Sequence, residues 1–276
     1  MTDSRQESRS LGVVRILTAL VGGPLVLLAA YLGNFWFAGL VLAIGVVAML
    51  EVGTLFASAG LRPFLPVSLV LAVLVVARYW FPDWGIAATV LITGTVAAMP
   101  FVPGQRVPER TATTFFVVLY PVWLLSFLLN IRLGLGIDRS DDQLMRMTVL
   151  VFFLVWANDT FAFYSGRKLG SRPFFASVSP AKTWEGFLGG LIGTALVAVL
   201  SKVLGLIDIT WGESAVLVAI CGIGGPIGDL VESKMKRSFE VKDSGTLLPG
   251  HGGMLDRFDA ILICGPLIWL YLAYVW

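Results

Sequence analysis

The chain is 276 residues long, 57% hydrophobic and 14% charged, whereas soluble domains carry about a quarter charged residues. That excludes a water-soluble enzyme and leaves no room for a sizeable soluble domain. The net charge of +2 is too small to point to a polyanion, and no nucleic-acid partner is expected.

Residues 1–10 mix Arg5 and Arg9 with Asp3 and Glu7 and read as a polar tail. Beyond them, apolar runs recur at 11–32, 35–58, 64–81, 85–102, 114–134, 147–166, 186–207, 214–231 and 259–276. A spanning helix needs about 20 such residues. The expected fold is therefore all-α: a polytopic integral membrane protein with about nine transmembrane helices and its active site on the cytoplasmic side. The first run is long and lacks a small-residue cleavage pattern, so it is not read as a removed signal. Residues 11–135 form an N-terminal transmembrane region of five spans. Residues 136–276 form a C-terminal catalytic region of four spans, with cytoplasmic loops at 167–185 and 232–258.

With the N-terminus inside, fifteen of the twenty Lys and Arg residues fall on inner segments, as the positive-inside bias requires. The C-terminus then lies outside, and the expected location is a bacterial inner membrane. Trp36, Trp80, Trp84, Trp211 and Trp276 fall near span ends, where indole rings anchor at the interface. The segment 135–146 reads as a solvated connection. Cys221 and Cys264 sit far apart inside spans and read as buried apolar residues. Gly186/Gly190 and Gly189/Gly193 are spaced for close helix packing. No internal repeat is evident, which gives no support to an inverted-repeat transporter. Glu51 interrupts an apolar stretch, and two readings stay open for it: approach to a site, or pairing with a basic neighbour.

Two polar clusters stand out. In the first, Asp159 breaks an apolar run, and a carboxylate within a span faces a bundle interior or watery cavity. It is either a site residue or half of a structural ion pair. Ser179-Pro180 predicts an N-cap with proline in the first turn, so the seventh helix is expected to begin there. Its free amides, with Lys182 nearby, would suit an anion; a capped helix without a ligand is the alternative.

The second cluster runs from Gly228 to Asp259. Asp229, Glu232, Ser233, Lys236 and Glu240 recur at helical steps and share one face. Glycines surround His251, the single histidine, and then Asp256 and Asp259 sit three apart where a helix should start. Carboxylates beside Lys and Arg, with glycine-freed backbone between them, are what a magnesium–nucleotide site requires. Mg²⁺ takes carboxylate and phosphate oxygens, and basic groups hold the phosphates. Asp229 and Asp256 are the leading candidate metal ligands, with Asp259 next and Ser233 a hydroxyl contact. A second cation is compatible with this set.

Ser233-Lys-Met-Lys-Arg237, Lys242-Asp-Ser-Gly245, Leu248-Pro-Gly-His-Gly-Gly253 and Asp256-Arg-Phe-Asp259 together resemble the signature of the phosphatidate cytidylyltransferases. Asp159-Thr-Phe-Ala162 and Ser179-Pro-Ala-Lys-Thr-Trp-Glu-Gly186 extend the resemblance over roughly residues 156–260. It implies that CTP and phosphatidic acid are the substrates, giving CDP-diacylglycerol and pyrophosphate in phospholipid synthesis. Asp229, Lys236, Asp256 and Asp259 are then the expected catalytic residues. Asp159, Ser179, Lys182, Ser233, Arg237, Lys242, Asp243, His251, Gly252, Gly253 and Arg257 are expected to bind substrate. His251 either donates to phosphate or is structural, and Glu232 and Glu240 balance charge. A homodimer is compatible with so many small residues in the spans. The rival readings are a CTP-dependent lipid kinase and, in another class, a cation-coupled transporter.

Overall fold

The computed structural model describes residues 20–81, 83–241, 244–245 and 252–275. Lys242, Asp243 and His251 lie outside the described residues, as do residues 1–19 and Trp276.

The described residues open with α1 (Leu20–Leu32) and α2 (Asn34–Ser58), joined by Gly33 alone. Gly33 takes φ +63, and a Cβ there would strike the Arg132 guanidinium. Then come α3 (Leu65–Ala77), α4 (Trp84–Ala97), a 3-10 turn at Met99–Phe101 and α5 (Val107–Val118). Pro121 has no N–H to give to the helix ladder. The chain accordingly widens into a π turn at Leu119–Trp123 before α6 (Phe127–Arg132).

Next is α7 (Asp141–Leu169), opened by a capping box between Ser140 and Gln143. Arg132, 3% exposed, donates to the Ala30 carbonyl at 2.6 Å and pairs with Asp141 at 2.6 Å. The 135–146 segment is thus more than a solvated connection, because Asp141 holds a buried cation between α1, α6 and α7.

Among the described residues, six helical stretches are long and apolar enough to cross a bilayer: α2, the α5–α6 unit, α7, α8 (Trp184–Val203), α9 (Trp211–Ser238) and α10 (Leu255–Tyr274). Against the expected nine, the described residues hold six such helices and three shorter apolar ones, α1, α3 and α4, with α1 described from Leu20 onward. Composition marks an apolar run but not where turns cut it. The 3-10 turn at Met99–Phe101, which contains Pro100, ends α4 inside the expected 85–102 run, and α3 stops at Ala77 inside the expected 64–81 run. The all-α integral membrane class stands, with one exception. A two-stranded antiparallel hairpin, β1 (Pro173–Phe175) and β2 (Ser179–Thr183), follows α7.

That hairpin moves the start of the seventh predicted helix. Ser179 and Pro180 lie in β2, and the cap of α8 is Thr183, whose hydroxyl accepts from the Gly186 amide at 3.1 Å. Phe174 accounts for the shift. It packs edge-on against Trp184 at 4.5 Å and stacks on Phe187 at 5.0 Å, drawing β1 over the first turn of α8 and leaving residues 179–183 extended beside it.

The long helices meet through small residues. On α8, Gly186, Gly190 and Gly193 face α7 so closely that a Cβ at any of them would press on Ala162, Asn158 or Phe161, as their spacing predicts. The crossing of α9 and α10 is tighter still: a Cβ on Gly228 would overlap the backbone of Asp259 and Ala260. α10 also touches α2, α6 and α7, so it runs through the middle of the bundle. Phe37, Met49, Leu125, Leu129, Met147, Leu154 and Ile261 fill the dry interior. Leu28, Leu69, Ile192, Leu196 and Leu267 remain on the outside, as a bundle surrounded by acyl chains requires.

Candidate active site

A cavity of about 580 Å³ opens at one end of the bundle, where the last turns of α7, the hairpin, the first turns of α8 and α10 and the second half of α9 come together. Asp159, Ser179, Lys182, Asp229, Asp256, Arg257 and Asp259 all line it. Seven sequence-predicted site residues from four elements, α7, β2, α9 and α10, are therefore gathered at one place. Phe163, Phe174, Phe187 and Pro226 form its apolar side.

Each polar side chain is placed by a local feature. Asp229 follows Gly228, the point of closest approach between α9 and α10, so it emerges directly beside Asp259. Lys182, at the end of β2, reaches Asp229 with 2.5 Å between Nζ and Oδ2. Asp159 faces Asp229, with Lys182 and Arg257 as the neighbouring cations. Its position is fixed by Asn158, which is buried between three helices, donates to Thr194 Oγ1 at 3.2 Å and lies against Gly225.

A second knot lies deeper. Lys236 Nζ sits 2.5 Å from Asp256 and 3.4 Å from Glu232. Asp256 also accepts from the Gly253 amide at 2.8 Å and the Ser244 hydroxyl at 2.9 Å. Asp259, 8% exposed, faces both Asp229 and Glu232. A chain of charges thus runs from Lys182 through the three carboxylates of Asp229, Asp259 and Glu232 to Lys236 and Asp256, with Lys236 and Glu232 outside the cavity lining. Glu232 is 2% exposed and does more than balance charge, since it lies between Asp256 and Asp259. Glu232 Oε1 faces the Lys236 ammonium at 3.4 Å, and the buried Tyr120 hydroxyl beside it has no hydrogen-bond partner among the described residues.

Other expected residues stand apart from the cavity lining. Ser233 and Arg237 lie on α9 outside it, Arg237 exposed. Glu240 is past the C-cap Phe239 in a left-handed conformation (φ +57) and leaves the helical face of Asp229 and Lys236. Gly252 also has positive φ (+80), and Gly253 contributes its amide to Asp256. The structure adds Asn158, Arg167 and Thr183 to the lining, together with Tyr120 and Glu51 behind it. Tyr120 and Glu51 come from the N-terminal half, and neither belongs to a motif. Only the interruption of an apolar run at Glu51 signalled either.

Among the described residues, no group of three or more His, Cys, Asp or Glu side chains is arranged as a ready metal nest. Asp229 and Asp256 are each held by a lysine instead. The donor set nevertheless fits Mg²⁺, which is bound through one or two carboxylates plus substrate phosphates rather than by an all-protein cage. Asp229 and Asp259 are adjacent oxygen donors, and the buried Glu232 carboxylate stands beside Asp259. Lysines at both ends and Arg257 at the rim can hold phosphate oxygens. The apolar side can receive an acyl chain.

Comparison with known proteins agrees with this chemistry. The chain is 39% identical over 120 residues to the phosphatidate cytidylyltransferase of Bacillus subtilis, covering 44% of this chain and 45% of that protein. It is 41% identical over 130 residues to the phosphatidate cytidylyltransferase of Staphylococcus saprophyticus, covering 47% and 49%. The aligned part thus spans about half the length of these two relatives. Similarity to the phosphatidate cytidylyltransferase of a Synechocystis strain runs at 29% identity over 93% of this chain and 95% of that protein. The profile of the cytidylyltransferase family matches residues 13–275, nearly the whole sequence, and the chain belongs to that family.

Proposed function

We propose that the protein transfers cytidylate from CTP to phosphatidic acid, giving CDP-diacylglycerol and pyrophosphate for phospholipid synthesis. One observation carries the reading in a chain of this family: four aspartates, Lys182, Arg167 and Arg257 line a cavity whose other side is aromatic and apolar. A nucleotide triphosphate needs the first surface, and a phospholipid needs both.

A phosphate oxygen of the lipid attacks the α-phosphorus of CTP, and pyrophosphate leaves from the opposite side. Both partners are anionic, so positioning and charge neutralisation dominate over proton transfer. The attacking phosphomonoester is ionised near neutral pH and needs no strong base. Lys182 and Lys236 hold phosphate oxygens, releasing Asp229 and Asp256 from their present ion pairs. Arg257 at the rim takes the outer phosphates or the lipid headgroup. Asp229 and Asp259, with Asp256 and Glu232 behind them, would hold Mg²⁺, which neutralises charge on the phosphates when bound. Phe163, Phe174 and Phe187 seat acyl methylenes.

Taking the N-terminus and this cavity as cytoplasmic is supported by the bias of Lys and Arg among the loops. Thiol labelling of a cysteine placed at Arg237 in sealed inverted vesicles tests it; protection there, with labelling in right-side-out vesicles, would reverse the orientation. The reaction is tested with purified protein, magnesium, phosphatidate and CTP labelled separately in base and terminal phosphate. Base label in lipid supports cytidylyl transfer. Terminal phosphate in lipid would instead make the protein a lipid kinase, and transport of cations without either product would make it a transporter.

A further inference from the structure

Glu51 belongs to α2, 8% exposed and far in sequence from the polar motifs. Its carboxylate accepts from the backbone amides of Met254 at 2.8 Å and Leu255 at 2.9 Å, and from the Ser244 hydroxyl at 3.3 Å. Among the described residues no lysine or arginine pairs with it. Its charge is met instead by the first amides of α10, which have no partner within their own helix and sit at the positive end of its dipole. The α10 N-cap residue, Met254, offers no side-chain acceptor. Glu51 supplies that cap from another helix.

The cap is shared with the site. Ser244 bridges Glu51 to Asp256, and Asp256 takes the preceding amide, that of Gly253. A Cβ on either Gly245 or Gly253 would sit 2.6 Å from a Glu51 oxygen. These two glycines therefore give room to a buried carboxylate, although Gly253 is one of the residues expected to bind substrate. The turn that aims Asp256 and Asp259 is thus anchored to the N-terminal half through one side chain.

We propose that Glu51 is a positioning residue of the reaction: it fixes the first turn of α10 and with it the two aspartates. This rests on the cytidylyl-transfer reading for its kinetic consequence, but not for its structural one. Glu51→Gln keeps one acceptor oxygen and loses the other; Glu51→Ala loses both. Glu213→Ala, which breaks the capping box of α9 with Thr210 elsewhere in the bundle, is the control for loss of a cap.

In detergent-solubilised full-length protein, hydrogen–deuterium exchange at Met254 and Leu255 is expected to quicken in Glu51→Gln and further in Glu51→Ala, and to stay unchanged in Glu213→Ala. With CTP and phosphatidate, kcat is expected to fall about 10²-fold in Glu51→Ala, as for a displacement near 1 Å. Glu51→Gln should fall less, with KM for CTP nearly constant in both and a cooperative thermal transition retained. Should Glu51→Ala fail to fold, Glu51→Gln carries both measurements. Unchanged exchange at these amides, or wild-type kcat in a folded variant, overturns the proposal. If the wild-type protein forms no CDP-lipid, the functional reading fails, while the exchange result still decides whether Glu51 holds the turn.

Discussion

Gly228 meets the backbone of Asp259 where α9 crosses α10, and a single added methyl would overlap the Asp259 carbonyl oxygen. Asp229 and Asp259 become neighbours because nothing stands between the helices that carry them. Gly228→Ala should push the helices apart, since overpacking a tight contact costs about 1–3 kcal/mol. A lower thermal midpoint and loss of turnover are expected together, by calorimetry and CDP-lipid formation. A stable, fully active variant would mean that the spacing at this crossing does not set the site.

Asp229→Asn and Asp256→Asn keep the shape of the side chain and remove its charge. Each should lower turnover by at least about 10²-fold, the scale for losing one preorganised electrostatic contact, while the thermal transition persists. Isothermal titration with Mg²⁺ and a non-hydrolysable CTP analogue should show weakened binding in Asp229→Asn. Wild-type turnover in both variants would remove these aspartates from the mechanism.

Lys182 and Lys236 are each ion-paired at 2.5 Å to one aspartate, and each is assigned to a phosphate oxygen when substrate enters. Lys182→Ala and Lys236→Ala should raise the KM for CTP or phosphatidate by roughly tenfold or more, since a charge-assisted hydrogen bond contributes about 1.5–3 kcal/mol. Initial rates at varied concentrations of each substrate separate the two roles. An unchanged dependence on both substrates would leave the lysines as structural counter-ions only.

At the other end of the bundle, Arg78 donates to Ser126 at 3.0 Å and Asn130 at 2.9 Å and lies over the Trp123 ring at 4.5 Å. It ties α3 to the π turn and α6. Arg78→Ala should therefore lower stability by about 1–3 kcal/mol, through acceptors left unpaired, and leave KM for CTP unchanged in whatever fraction stays folded. A selective rise in KM would place Arg78 in communication with the cavity.

Thr183→Ala removes the hydroxyl that caps α8. About 1 kcal/mol of stability should go with it, whereas Ser179→Ala, within β2, should cost less. The opposite order, measured as shifts in thermal midpoint, would restore Ser179 as the helix cap.

The membrane class, the polar face Asp229–Glu232–Lys236 and the α7–α8 glycine seam were legible in the chain, because periodicity and hydropathy are local properties. A carboxylate inside an apolar run is conspicuous at any distance from its partners, so Asp159 and Glu51 drew notice before their surroundings were known. The sequence pointed to the start of α8 four residues too early, because the Phe174–Trp184 and Phe174–Phe187 contacts that hold residues 179–183 extended join side chains from separate elements.

What the chain settled unaided is which residues must sit in lipid and which polar groups must find company, since transfer free energy belongs to each side chain wherever the backbone goes. Tertiary packing alone decided who that company is: Glu51 on the first amides of α10, Lys182 against Asp229, Lys236 between Glu232 and Asp256. Charges buried in a low-dielectric bundle are stable only in contact with a complement, and contact across such separations depends on how the helices cross.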